Sequence, residues 1–390
     1  MERVFLSNLK IVNVRHLKNI SIQLSNERPK HLILTGKNGS GKTSVLEALS
    51  NYLNYFVTVN NFEDVPNGSL VCKTDLKDDE IREGVAVKFN QAQSMLEDMV
   101  KKGKFILAYY GDKRAFQAEK PEHIEKVKLQ DKYKITDAPG KLFIKYLLDL
   151  KVTEALARNN GNIEKADGIR AWFEKFESLL QRIFNDFSLR LIFDEDTFSF
   201  FIQEDGRDVF DFYSLSSGFA SALDIILDLM LRMEAHTNRT FDFDMQGIVL
   251  IDELETHLHI ELQRSIMDLL TTVFPNIQFI ISTHSPYVLN AVENCVVYDL
   301  DKKICMEDLF RYPAEGIVEG YFESESYSNQ LLEKVKRYEV LAYIDEPTEE
   351  ERMERAKLRM DLKQLSGDLA KEAKEAFEDI EQNRRKHDQI

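Results

Sequence analysis

Proline and cysteine are scarce in this chain of 390 residues, with 8 prolines, 3 cysteines and a single tryptophan. The cysteines, Cys72, Cys295 and Cys305, are odd in number and match no metal-ligand spacing. That excludes a disulfide-stapled scaffold and a zinc ribbon, and it suits a reducing cytoplasm. With 43% hydrophobic residues and so little proline, a disordered or low-complexity chain is also excluded. No uninterrupted apolar run approaches the roughly 20 residues of a membrane helix. The opening MERVFLSNLKIVNVRHL alternates apolar and charged residues and lacks the apolar core and small-residue cleavage site of a secretory leader. Positive charge is in short supply as well. Lys and Arg number 51 against 67 Asp and Glu, for a net charge of −16. This balance argues against a surface that coats nucleic acid or anionic lipid throughout, and leaves room for a local basic patch.

The periodicities that are present predict an α/β chain. Val4 to Leu24 alternates as strand material for a hairpin, and His31–Thr35 is a short apolar run ending at Gly36. A helix is predicted from Thr43. Further strands are expected at Val85–Phe89 and Phe105–Tyr110, then a charged, helix-period block from about Pro121 to Asp186 that reads as a helical insertion. Ser188–Phe193 and Thr197–Gln203 read as strands, Phe219 to Met233 as a long apolar helix, and Glu261–Phe274 as a helix between two buried strands, Gly247–Ile251 and Ile277–Ile281. Strands alternating with helices predict a doubly wound sheet. The segment from Ser326 to Val335 and the near-balanced charged stretch after Pro347 read as a helical tail without sustained heptads. The expected organisation is a head over residues 1–300, with its insertion at about 119–186, and a C-terminal helical region over 301–390.

Two motifs carry chemistry. Gly36-Lys37-Asn38-Gly39-Ser40-Gly41-Lys42-Thr43, followed by Ser44, fits G-x-x-x-x-G-K-[ST], and it lies between a predicted strand and a predicted helix as that pattern requires. Glycines let successive backbone N–H groups curl around a phosphate at the positive end of the helix. Lys42 adds a charge on the β- and γ-phosphates of ATP, and the Thr43 hydroxyl is placed for Mg²⁺. The second motif is the apolar strand Gly247–Ile251, which delivers Asp252 and Glu253 at its C-terminal end. Asp252 would hold Mg²⁺ directly or through water, and Glu253 would orient and deprotonate the attacking water. The competing structural reading is a helix cap by Asp252.

Leu215-Ser216-Ser217-Gly218 ahead of the long apolar helix, and Thr283-His284-Ser285-Pro286 after a buried strand, complete a set of four. In this order the four motifs resemble the ABC-type ATPase heads of the RecF, SMC and OLD group, over about the first 300 residues. The resemblance implies a P-loop NTPase fold and ATP sandwiched between two heads in a homo-oligomer. Ser216 and Gly218 would engage the γ-phosphate held by the opposite head, with helix capping as the bland alternative. It makes His284 the switch histidine, and Arg15 the first-hairpin arginine directed at the phosphates or else a solvated surface residue. The usual Gln or Glu after the signature glycine is replaced by Phe219. The Q-loop glutamine is not located, with Gln91 and Gln93 as positional candidates, and Arg114 either reaches a phosphate or stays solvated. His257 and His259 are assigned to a dimer-facing loop rather than to a metal. Residues Leu250 to Val292 resemble the ATPase subunits of Septu-type and retron-associated phage-defence systems. That narrower resemblance implies a regulatory or sensor ATPase with a nuclease effector as protein partner. The competing roles are a DNA-repair or chromosome-associated ATPase that binds nucleic acid, and a slow nucleotide-gated scaffold. No membrane partner is expected.

Overall fold

The computed structural model describes residues 3–58, 84–114, 116, 118–237, 239–306, 308–320, 329–344, 347–363, 374 and 376–381. Cys72 and part of the segment expected to be helical from Ser326 lie outside them. The chain divides into two compact units, Met1–Arg311 and Tyr312–Ile390.

In the first unit, β1 (Leu6–Val14) and β2 (Leu17–Gln23) form a hairpin, and β3 (His31–Thr35) leads through the glycine-rich turn into α1 (Lys42–Thr58). Next come β4 (Gly84–Phe89), α2 (Gln93–Lys101) and β5 (Phe105–Tyr110), then α3 (Phe143–Asn159) and α4 (Ile163–Phe184). The strands β6 (Arg190–Asp194), β7 (Ser199–Gln203) and β8 (Phe210–Asp211) precede α5 (Ser217–Thr237). After it follow β9 (Gln246–Ile251), α6 (Ile260–Val273), β10 (Ile277–Ser282), the short α7 (Pro286–Leu289), β11 (Cys295–Asp299) and β12 (Ile304–Met306).

The central sheet has the order β12-β11-β3-β10-β9-β5. Its strands run parallel except β12, which pairs antiparallel with β11. Runs such as Ile248-Val249-Leu250-Ile251 and Phe279-Ile280-Ile281 are wholly buried, as expected where both faces of a parallel sheet are covered. Because β3 lies beside β10 and β10 beside β9, the C-terminal ends of these three strands open onto one crevice, the usual ligand position in such sheets. A second sheet, β2-β1-β4, is fastened to this one by Gln278. Its buried side chain accepts from Leu6 N and donates to the Leu6 and Lys30 carbonyls.

Two expectations change. The insertion is helical only from the 3₁₀ turn at Pro139–Leu142 onward; residues 118–138 are irregular, and Asp228 holds their end by accepting from Gly140 N at 2.8 Å. The sheet also continues past residue 300 through β12, because Ile304–Met306 pairs with Val297–Asp299. In the second unit, α8 (Ala314–Gly320), α9 (Asn329–Ala342) and α10 (Glu349–Lys363) are helical, and α9 runs beyond the expected Val335. Tyr338, Ala342, Leu362, Phe377 and Ile380 form a small core there.

Candidate active site

The turn from β3 into α1 is shaped by glycine. Gly36 (φ +128°) and Gly41 (φ +99°) hold backbone conformations that L side chains rarely adopt. A Cβ on Gly41 would also lie 2.9 Å from Leu17 Cδ1, and one on Gly36 3.0 Å from Asp299 Oδ1 and from Ser40 Oγ. The Lys42 ammonium is folded back onto the loop, donating to Gly36 O at 3.0 Å and Lys37 O at 3.2 Å. Burial lowers its pKa, against the opposing pull of Glu253, Glu255, Asp252 and Asp299. Ser40 Oγ is buried without a hydrogen-bond partner, while Lys37, Asn38, Gly39 and Thr43 are exposed and Ser44 is buried. Lys37 pairs loosely with Asp301 at 3.6 Å. Arg15 is exposed in the β1–β2 turn (φ +52°), whose Leu17 packs on Gly41, so the hairpin brings it to the rim of this loop.

On the neighbouring strands, Asp252 N donates to Tyr110 O at 2.8 Å, and the Asp252 carboxylate is buried. Ser282, at the end of β10, serves both acidic residues: its hydroxyl donates to Asp252 Oδ1 and accepts from Glu253 N at 2.8 Å. Glu253 adopts a left-handed backbone (φ +46°), and its Oε2 accepts from Thr256 Oγ1 at 3.1 Å. Glu255 then reaches back across the strands. One of its oxygens accepts from Thr283 Oγ1 at 2.7 Å and the other from His284 N at 2.5 Å. Burial, and next the Lys42 charge, lower the His284 pKa against the pull of Glu255, Glu253 and Asp252, which favours the neutral ring. Lys42, Asp252, Glu253 and His284 therefore share one electrostatic environment. Ser282, directly before the Thr283–Pro286 motif, and Glu255, two residues past the acidic pair, complete it through contacts that their sequence positions do not reveal.

Ser216 and Ser217 stand exposed at the start of α5. Gly218 is packed so closely that a Cβ would lie 2.9 Å from His257 O and 3.4 Å from His259 Cδ2. The His257–His259 run thus lies on the signature helix. Phe219 stacks on Phe184 of α4 with ring centroids 4.1 Å apart and planes 12° apart, so the residue replacing the usual Gln or Glu is spent on packing. Arg114 neither is solvated nor extends toward the P-loop. It is 5% exposed, and its guanidinium donates to the carbonyls of Gly111 and Asp252, to Glu253 O at 2.7 Å and Leu254 O at 3.4 Å, and to Ser221 Oγ at 3.4 Å. Gln93 Nε2 donates to Glu97 at 3.4 Å, a contact within α2.

A phosphate chain with Mg²⁺ fits these residues. The glycine cradle, the unpartnered Ser40 hydroxyl and an ammonium bonded only to loop carbonyls among the described contacts suit an anion. The hydroxyl of Thr43 and the carboxylate of Asp252 are the hard oxygen donors that Mg²⁺ takes alongside water and phosphate. Among the described residues no group of three or more His, Cys, Asp or Glu side chains could hold a metal without such added ligands.

Comparison with known proteins agrees with this geometry. A family model described as an AAA ATPase domain matches residues 5–110, and one described as an AAA domain, putative AbiEii toxin, Type IV TA system, matches residues 129–290. The Septu protein PtuA of Bacillus mycoides (strain KBAB4) is 26% identical over 304 residues, 74% of this chain and 39% of that protein. The Retron Vc95 probable ATPase of Vibrio cholerae serotype O1 biovar El Tor is 33% identical over 141 residues, 33% of this chain and 27% of its own. The DNA replication and repair protein RecF of Rickettsia typhi (strain ATCC VR-144 / Wilmington) is 46% identical over 50 residues, 13% of each chain. The matched stretches thus span well under half of these relatives. The P-loop, the acidic strand end, the Ser216–Gly218 helix start and the Thr283–Pro286 loop on one parallel sheet, together with these AAA ATPase models and ATPase relatives, fit an ABC-type ATPase head of the RecF, SMC and OLD group.

Proposed function

We propose that this head binds ATP with Mg²⁺ in the crevice above β3, β9 and β10, and that two copies close around the nucleotide. Gly36 to Ser44 would wrap the phosphates with backbone N–H groups, and Lys42 would leave its loop carbonyls for the β- and γ-oxygens. Thr43 and Asp252 would hold Mg²⁺, which when bound neutralises charge developing on the transferred phosphoryl group. Glu253 then takes the proton of the attacking water, and neutral His284 holds the γ-phosphate and that water in line. Ser216 and Gly218, at the positive end of α5, would reach the γ-phosphate held by the partner copy, and Arg15 would approach it from the hairpin turn.

The observation that carries this reading is the convergence of Lys42, the Asp252-Glu253 pair and His284 within one field, although these three positions are far apart in sequence. Its test is Glu253→Gln examined by light scattering with and without ATP. The expected result is an ATP-dependent dimer that persists because hydrolysis is blocked. A variant that binds ATP tightly and stays monomeric overturns the sandwich.

Hydrolysis by such a head yields motion or switching. We infer a regulatory or sensor role in phage defence, acting on a nuclease effector. The similarity to proteins named for Septu and retron systems supports it. The short RecF match favours a second reading, a DNA-dependent ATPase. Duplex DNA that stimulates hydrolysis, with an effect falling steeply with salt, would select that reading.

A further inference from the structure

Arg114 is not one of the residues that touch nucleotide in the proposed cycle, yet it joins more of the site's parts than any of them. It follows β5, whose register against β9 sets Tyr110 opposite Ile251. From there its guanidinium enters the turn that carries the catalytic carboxylates and bonds the carbonyls of three successive residues, Asp252, Glu253 and Leu254. The middle one is the residue held at φ +46°, a conformation that a non-glycine residue keeps only when its surroundings impose it. Nη1 also bonds Gly111 O, and Nε points at Ser221, one turn into the signature helix. Ser221 Oγ in turn donates to Thr256 O at 3.3 Å, and Gly218 bears on His257 O. The loop from 252 to 257 is thereby held on one side by Arg114 and on the other by α5, and Arg114 is bonded to both. Burial lowers the Arg114 pKa, against the opposing charges of Asp224, Glu255, Asp252 and Asp112.

We propose that Arg114 is a positioning residue that relays engagement of the signature helix to the backbone of Glu253 in the same subunit. The relay rests on the reading that Ser216 engages the partner's nucleotide. A small displacement of α5 on closure moves Ser221 and Gly218. Arg114 converts that movement into the orientation of the general base, so hydrolysis follows closure.

A double-mutant cycle in the full chain tests this, with Arg114→Lys, which keeps the charge and loses the fork, and Ser216→Arg, which blocks the contact between copies. Ser221→Ala, a small change that removes the arm to the helix together with the Ser221–Thr256 bond, guards against misfolding of the lysine variant. For Arg114→Lys the expected result is ATP affinity by calorimetry within about twofold of the parent and kcat reduced about 10- to 100-fold. ATP-dependent self-association should be retained. Ser221→Ala should show the same pattern more weakly, and adding Arg114→Lys to Ser216→Arg should cause no further loss. Losses that multiply in the double variant, or a fall in ATP affinity as large as the fall in kcat, overturn the relay and leave the sandwich standing. A Ser216→Arg protein with parental kcat and parental self-association overturns both.

Discussion

Glu255 offers the sharpest perturbation of the site, because both of its carboxylate oxygens are committed and neither touches nucleotide in the proposed cycle. Glu255→Gln keeps the shape and replaces one acceptor with an NH₂ donor. His284 N–H requires an acceptor, so the amide oxygen must face it, and the NH₂ is then directed at Thr283 Oγ1. That hydroxyl already accepts from Ser285 N at 3.0 Å. It can accept a second bond only by turning its own hydrogen away, and Thr283 is fully buried, so no water replaces the lost acceptor. A buried donor left unsatisfied costs about 1–3 kcal/mol. Partial relaxation places the expected loss of stability near the lower end, about 1–2 kcal/mol. Glu255→Ala, which strands both donors, should cost about twice as much. The effect on catalysis should be larger than the effect on stability, because the strained segment is the one that holds the His284 ring. A misplacement on the order of 1 Å at a reacting group lowers rates about 100-fold. Urea denaturation, calorimetry with ATP and steady-state phosphate release would be measured on the same preparations. The expected pattern is a modest shift in midpoint, unchanged ATP affinity and kcat lower by about 10- to 100-fold. A Gln variant with parental stability and parental kcat would refute the reasoning.

Two further outcomes follow from the structure. His31 is buried with its Nδ1 accepting from Phe279 N at 3.0 Å, and burial lowers its pKa to about 4 from 6.5. Below pH 6.5 the unfolded chain takes up a proton that the folded chain refuses, so this contribution is complete above pH 6.5 and is lost as pH falls toward 4. The shift corresponds to about 3 kcal/mol in all and about 2 kcal/mol by pH 5. His31→Gln should flatten that part of the pH dependence of urea unfolding, and an unchanged slope would contradict it. Gly218→Ala places a methyl against the His257 carbonyl, which as backbone cannot rotate away. The helix gains about 0.5–1 kcal/mol in propensity, so the thermal midpoint should hardly move while kcat falls about tenfold; a parental kcat would show that the loop and helix need not fit so closely.

The P-loop pattern and the acidic pair are legible in the sequence because phosphate chemistry demands contiguous residue types, glycines for a cradle, then a lysine, or two carboxylates after a buried strand, whereas Ser216 and His284 are marked only through the family resemblance. The positioning contacts of Glu255, Ser282 and Arg114 are not marked in this way: the first two only flank the motifs, and Arg114 is expected at a phosphate or in solvent. Their partners lie 28, 30 and 138 residues away, and each is an ordinary polar residue until the sheet order brings β9 against β10 and β5. The irregular stretch 118–138 resembled helix in composition, but its role is to lie along α5 and β5, with Arg232 bonding the carbonyls of Leu107, Lys134 and Asp137. Phe219 reads as a defect in a motif until Phe184 is found beneath it.

The sheet order also sets a timetable for synthesis. Strand β3, which ends in the phosphate loop, has as its two neighbours β10 and β11, and the N-terminal hairpin is pinned by Gln278. A ribosome adding about 5–20 residues per second needs roughly 12–50 s to pass from the glycine turn to those strands. During that interval the phosphate-loop strand, buried on both faces in the finished sheet, has neither of its neighbours. Nucleotide capture therefore belongs to the end of folding, and a nascent chain interrupted before Asp299 should be unable to bind ATP even though every residue of its phosphate loop has been made.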